Sequence, residues 1–234
     1  MKQQISRLLS RYGYQISRPL SRTAKLLHYY NVDCVIDVGA NDGGFALAIR
    51  RQGYTGQIVS FEPILDTYVK LEKKSARDDT WTACRYALGN TRGEITINIS
   101  ANGAASSSIL PMLDACTDAA PMAHYIGEEI VPLERLEDLL PSLRIKPASR
   151  IFLKIDAQGY EGPILDGAAR LFENGAIIGM QLELSLVPLY AGAITYDEGL
   201  ARAARLGMTL MRLDPEFDDP RTGQALQVDA VFFA

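Results

Sequence analysis

From residue 32 onward, short apolar runs alternate with amphipathic stretches, and this β-then-α rhythm constrains the chain more than any other feature. Strands joined by crossover helices pair in parallel and place helices on both faces of one sheet. Apolar runs at 34–38, 58–61, 82–86, 151–155, 177–184, 209–213 and 228–233 predict an α/β fold with a seven-stranded, doubly wound, mainly parallel sheet. A further half-exposed strand is expected at 94–100, where "EITINIS" alternates after a glycine-bearing turn. A chain of 234 residues is long enough for one large domain of this class.

The first βαβ unit reads "VDCVIDVGANDGGFALAIRRQGYTGQIVSFEP" over residues 32–63. Phe45, Ala48 and Ile49 recur at helical spacing, and Gly53 supplies the residue that stops the helix. In open α/β sheets, ligands lie beyond the carboxyl ends of the strands where the strand order reverses. Asp37 and Gly39 fall at one such end and Glu62 at the next, with Pro63 holding Glu62 extended. A carboxylate there accepts both hydrogens of a ribose diol, so the site calls for a nucleoside. A dinucleotide needs G-x-G-x-x-G, whereas this loop runs Gly39-x-x-x-Gly43-Gly44 with Asn41 and Asp42 inside it. Asp37 and Asp42 would repel a pyrophosphate and suit a cationic ligand such as S-adenosylmethionine, whose own carboxylate can meet N–H groups at the helix start.

Several motifs together resemble the FkbM-type S-adenosylmethionine-dependent methyltransferases: "DVGANDGGF" (37–45), "SFEP" (60–63), "YALGN" (86–90), "SSSIL" (106–110), "LERLEDLL" (133–140), "FLKIDAQGYEGPILDGA" (152–168), "LELSLVPLY" (182–190) and "DAVFF" (229–233). The resemblance implies the seven-stranded, Rossmann-like methyltransferase sheet and O-methylation of hydroxyls on sugars or secondary metabolites. It also implies Asp37, Gly39, Asn41 and Gly43 on the methionine side of the cofactor, Glu62 on the ribose, and Pro63, Ala87 and Leu88 near the adenine.

Methyl transfer to an alcohol needs alignment and a group that takes the hydroxyl proton. Asp156 ends the strand "IFLKID" and Glu183 lies near the end of "IIGMQLEL", so both carboxylates are candidates to face one cleft. Each could instead cap a helix or pair with Lys154, which leaves the same sheet face as Asp156. His124 is the rival base, against the plainer reading of a solvated loop residue. Residues 101–127 are rich in small residues and aperiodic, and are expected to form a loop that closes over substrate. Within it Ser106, Ser107 and Ser108 are candidate contacts for a polyhydroxylated acceptor. Tyr190 and Tyr196 are candidate walls of that pocket, with helix packing as the alternative.

Charge and cysteine content set outer bounds. Lys2, Arg7, Arg11, Arg18, Arg22 and Lys25 all precede the first acid, Asp33, in a chain of net charge −4. Residues 1–30 therefore read as a basic helical extension on an acidic methyltransferase domain spanning 31–234. The extension would pack on the body, dimerise it, or touch a membrane surface. An acidic body argues against nucleic acid as partner; a small molecule or glycan as acceptor is what the resemblance implies. Cys34, Cys84 and Cys116 show neither disulfide nor zinc spacing; no metal is expected, with Mg²⁺ on Asp156 and Glu183, by analogy of fold, as the alternative. No signal-peptide or membrane-spanning run stands out, which predicts a cytoplasmic protein. A non-catalytic nucleoside-binding or scaffolding module on the same fold is the alternative to an enzyme.

Overall fold

The computed structural model describes residues 22–234. Of the expected basic extension, residues 1–21 lie outside the described residues, and Arg22–Tyr29 forms helix α1. The sheet strands are β1 (Cys34–Val38), β2 (Gln57–Phe61), β3 (Trp81–Cys84), β7 (Ile151–Ile155), β8 (Ile177–Ser185), β9 (Thr209–Asp218) and β10 (Ala225–Phe233), in the order β3-β2-β1-β7-β8-β10-β9. Strands β3 to β8 of this sheet pair in parallel, while β10 inserts antiparallel between β8 and β9. The seven-stranded α/β expectation is met. The order reverses between β1 and β7, which puts the switch point at the carboxyl ends of those two strands.

The central strands are buried on both faces, as parallel strands covered by helices must be. One face packs Cys34, Ile36, Val59, Leu153 and Leu182. The other packs Val35, Ile58 and Phe152 against Ala46 and Ile49 of α2 (Gly44–Arg51) and Leu71 of α3 (Leu65–Ser75). Each fully buried side chain of this size contributes about 1.5–3 kcal/mol relative to exposure.

Along that second face the strands change character in register. Val35, Ile58 and Phe152 occupy one level; Asp37, Ser60, Lys154 and Gln181 occupy the next. Two residues further come Gly39, Glu62 and Asp156, beyond the ends of their strands, and Glu183, still within β8. Because side chains alternate with period two, one face is dry at its amino end and ionic at its carboxyl rim.

The segment expected as a single long loop at 101–127 departs from that reading. It holds helix α4 (Asp114–Ala119), a 3₁₀ turn at Pro121–Ala123 and the start of β6 (Tyr125–Glu134). Its buried residues Cys116, Ala119 and Ala123 are small, so they leave little hydrophobic periodicity to read, yet they pack under Leu189 and Tyr190. Strand β6 joins β4 (Ala87–Leu88) and β5 (Gly93–Ser100) in a second sheet ordered β4-β6-β5. The helix after it, α5, is only Leu136–Leu139 before a 3₁₀ turn at Leu140–Ser142. Three more helices, α6 (Glu161–Asp166), α7 (Ala169–Glu173) and α8 (Tyr196–Arg205), complete the crossovers. Among the described residues no helix is long and apolar enough to cross a membrane.

Candidate active site

A cavity of about 280 Å³ opens at the carboxyl rim of the sheet. One end is walled by Glu62, Pro63, Ile64, Ala87, Leu88 and Ile97; Gly39 and Asn41 lie along it; Asp156, Gln158, Glu183 and Glu216 line the other end. Nine of the expected site residues therefore share one cavity: Gly39, Asn41, Glu62, Pro63, Ala87, Leu88, Ser107, Asp156 and Glu183.

Gly39 is required by the backbone. Its φ is +70°, and a Cβ there would run into the carbonyl oxygen of Asp156, where β1 and β7 converge. Asn41 also has positive φ, and its N–H donates to Glu62 Oε2 at 3.0 Å. The N–H of Ile64 donates to Glu62 Oε1 at 2.9 Å, so two backbone donors fix the carboxylate at the cavity wall. Burial pushes the Glu62 carboxyl up to about 7, against the pull of those donors.

Three expected residues stand elsewhere. Asp37 is fully buried, one pleat below the rim, where Ser60 Oγ donates to its Oδ2 at 3.2 Å and Lys154 Nζ lies 3.4 Å from Oδ1. It does not line the cavity, because the residue that reaches the rim on this strand is two positions later. Gly43, at φ +87°, makes room for the Trp81 indole, which a Cβ would approach to 2.8 Å. His124 is exposed beyond the cavity wall, with Nδ1 2.9 Å from the carbonyl of Pro121. Asp42 is likewise off the wall and pairs with Lys74 at 2.7 Å. The acids that line the cavity are thus Glu62, Asp156, Glu183 and Glu216, rather than the Asp37 and Asp42 of the glycine loop.

Lys154 is almost fully buried and lies 3.0 Å from Asp156 Oδ2 as well as beside Asp37. Burial opposes its charge, but Asp156 and Asp37 outweigh that and hold the ammonium above the ordinary lysine range. The turn that follows carries a residue that sequence reasoning left unassigned. Gln158 Nε2 donates to Asp156 Oδ1 at 3.0 Å and to Glu183 Oε2 at 2.7 Å, while its Oε1 accepts from Tyr190 Oη at 2.6 Å. Gln227 Nε2 adds a second donor to Glu183 Oε2 at 2.8 Å. Asp156 therefore has both oxygens engaged, whereas Glu183 Oε1 has no hydrogen-bond partner among the described residues. Burial, and after it Asp156, Glu161 and Asp229, push the Glu183 carboxyl well above the usual range.

Glu161, buried in α6, accepts from the N–H groups of Ala157 and Gly159 and clamps this turn. Ser108 Oγ donates to the carbonyl of Gln158 at 2.7 Å, and Asn41 Nδ2 reaches the Gly103 carbonyl at 3.5 Å. Ser106 is tied to Ser100 and Asn102 by its N–H. The serines thus build the wall formed by 100–108. Tyr190 is a buried support behind Gln158, and Tyr196 packs into the core from the start of α8.

The family model for the methyltransferase FkbM domain matches residues 37–219. The chain belongs to the FkbM methyltransferase family. Solved structures similar to this FkbM-family chain include the methyltransferase domain of a bacterial Hen1 (12% identity, 91% of this chain and 95% of that one, TM-score 0.44). Magnesium protoporphyrin IX methyltransferase from Synechocystis PCC 6803 aligns at 8% identity over 90% and 76%, with TM-score 0.47. A SAM-dependent methyltransferase from Aquifex aeolicus aligns at 11% over 90% and 88%, with TM-score 0.45. No curated protein matches. The cavity just described lies within the stretch covered by the family model, so the FkbM match and the rim of acids concern the same part of the chain.

Proposed function

We propose that this methyltransferase uses S-adenosylmethionine to methylate a hydroxyl of a sugar, glycan or secondary metabolite. One observation carries the reading: Glu62, suited to a ribose diol, and Glu183, with one carboxylate oxygen that takes no hydrogen bond from the described residues, line one cavity on either side of the switch point. The residues present fit the nucleoside. Each oxygen of Glu62 keeps a lone pair after its backbone bond, and Pro63, Ile64, Ala87, Leu88 and Ile97 offer an apolar slot for a base. Gly39 and Asn41 leave backbone beside the methionine portion. When bound, S-adenosylmethionine supplies a methyl group on a sulfonium, open to in-line displacement.

The protein's part is alignment and proton removal. Glu183 Oε1 accepts the hydroxyl proton as the oxygen attacks; Oε2 is held by two amides, so the carboxylate cannot swing away. Asp156 is a positioning residue here, since Lys154 and Gln158 engage both of its oxygens. Lys154 neutralises Asp37 beneath the cavity and holds Asp156 Oδ2. The segment 100–108 roofs the site and excludes water. His124 has no part in proton transfer in this reading.

Calorimetry with S-adenosylhomocysteine against NAD tests the cofactor, with binding of the first alone expected. Mass spectrometry of acceptor extracts incubated with labelled methyl donor tests the transfer. Binding of NAD in preference, or label that never leaves the donor in the presence of any polyol, would remove the proposal.

A further inference from the structure

Residues 156–161 read "DAQGYE", and the backbone there turns left-handed at a residue other than glycine. Gln158 has φ +50°, and Gly159 follows at +99°. A side chain with a Cβ takes that conformation at a cost that surrounding contacts must offset. Three hydrogen bonds do so here. Glu161 accepts from the N–H groups of Ala157 and Gly159, and the Gln158 carbonyl accepts from Ser108 Oγ at 2.7 Å. The turn also rests directly on Tyr190, since a Cβ at Gly159 would stand 3.1 Å from the Tyr190 Cβ.

The side chain aimed by this turn is the Gln158 amide. Its Nε2 donates to Asp156 Oδ1 at 3.0 Å and to Glu183 Oε2 at 2.7 Å, and its Oε1 accepts from Tyr190 Oη at 2.6 Å. Such partners fix which end of an amide is nitrogen. Turned over, the group would set Oε1 against two ionised carboxylates, which only accept. Tyr190 holds the other side. It is 1% exposed, and its hydroxyl stands between two carbonyl oxygens, Gln158 Oε1 and that of Ser106 at 3.3 Å, with the weakly bonding thiol of Cys116 beside it. Its single hydrogen goes to the nearer oxygen. Gln227 donates to Glu183 Oε2 as well, but Gln158 is the residue that joins the two acids.

Resting on the methyl-transfer reading above, we propose that Gln158 and Tyr190 are positioning residues: Tyr190 orients the Gln158 amide, and the amide sets where Glu183 and Asp156 stand relative to the acceptor hydroxyl. Both act through the carboxylates rather than on the transferred methyl group. With Oε2 of Glu183 anchored in this way, Oε1 is the oxygen presented to the hydroxyl proton. A displacement of about 1 Å in a reacting group can cost on the order of 10²-fold in rate, so the pair bears on turnover more than on cofactor binding.

The test uses the full-length chain and two variants. Gln158→Asn suits the left-handed backbone but is one methylene too short to span both acids, and Tyr190→Phe keeps the ring without the hydroxyl. Circular dichroism checks that each is folded. Affinity for S-adenosylhomocysteine, read by calorimetry, is expected to stay within about twofold of wild type. Transfer of labelled methyl to the acceptor extract that wild type labels is expected to fall about 10²-fold in Gln158→Asn and about tenfold in Tyr190→Phe. A spectroscopic mark accompanies this. With glutamine side chains labelled with ¹⁵N, the NH₂ signal that Gln158→Asn removes is expected to shift in Tyr190→Phe, although a phenyl ring fills the same space. Turnover of Gln158→Asn within about twofold of wild type, affinity and turnover falling together, or an unmoved NH₂ signal in Tyr190→Phe would overturn the positioning role. Should Gln158→Asn not fold, Tyr190→Phe decides by the same split of turnover from affinity. A wild-type chain that binds no S-adenosylhomocysteine or labels no extract overturns the methyl-transfer reading instead, so the two failures are told apart.

Discussion

Glu183 and Asp156 differ in what each leaves free, and in the proposed mechanism that difference makes the first the base and the second its positioning partner. Glu183→Gln keeps the amide-accepting shape but cannot take a proton; turnover is expected to fall about 10²- to 10⁴-fold with S-adenosylhomocysteine binding retained, while His124→Ala keeps full turnover. Labelled-methyl assays of the two variants check both outcomes. Lys154 is the counter-ion of a fully buried carboxyl, Asp37, and of Asp156. Lys154→Met is therefore expected to destabilise by about 3–5 kcal/mol in denaturant unfolding, the cost of breaking a buried pair from one side. Glu62 sets a pH dependence whose sign follows from its raised value of about 7. The carboxylate, which in the proposed reading accepts the diol, is present above that value and lost as pH falls through it, so nucleoside affinity should rise about tenfold per unit up to neutrality and level off beyond. The ligand-free fold moves the other way: an acid raised on folding releases stability as pH climbs from the ordinary carboxylate range towards 7. Titration of wild type and Glu62→Gln by calorimetry separates these effects, with a flat profile expected for the variant. Asp37, Asp156, Glu183 and Glu62 were all visible as acids near predicted strand ends. Which of them reach a ligand was not, because a two-residue shift along one strand moves a carboxylate from the floor to the rim.

At the level of elements, the site depends on how closely two turns approach. The glycine loop after β1 and the turn after β7 meet at Gly39, whose missing Cβ leaves room for the carbonyl of Asp156. Gly39→Ala meets both this clash and a positive φ, so it is expected to cost more than about 1 kcal/mol and to weaken nucleoside binding; thermal melting and calorimetry measure the two. Gly43 does a different job, since it admits Trp81, whose Nε1 donates to Ser60 beside Asp37. The spacing of these glycines was legible, but the partners that explain them come from strands far along the chain. The helix over 44–51 and the strands at 34–38 and 151–155 follow directly from local pattern. Helix α4 did not, because Cys116, Ala119 and Ala123 bury too little surface for the pattern to stand out from a loop.

Across the whole molecule, a small sheet and the segment beside it roof the rim of the large one. Asn41 to Gly103 and Ser108 to Gln158 are two of the hydrogen bonds that tie this roof to the floor. Occupying the cavity should tighten both, so hydrogen exchange of the amides in 101–109 is expected to slow when S-adenosylhomocysteine and acceptor are bound, and to stay unchanged elsewhere in the small sheet. Equal exchange with and without ligands would remove the roof's closing role. The amino-acid order by itself determined the layered α/β class, the seven strands and the carboxyl rim as the place of the site, since hydrophobic period and turn chemistry are local properties of the chain. Only the tertiary structure decided which acids share a cavity, which are neutralised beneath it, and that Gln158 and Glu216 belong to it. Those outcomes depend on strand register and on burial, which bring together residues that no local pattern connects.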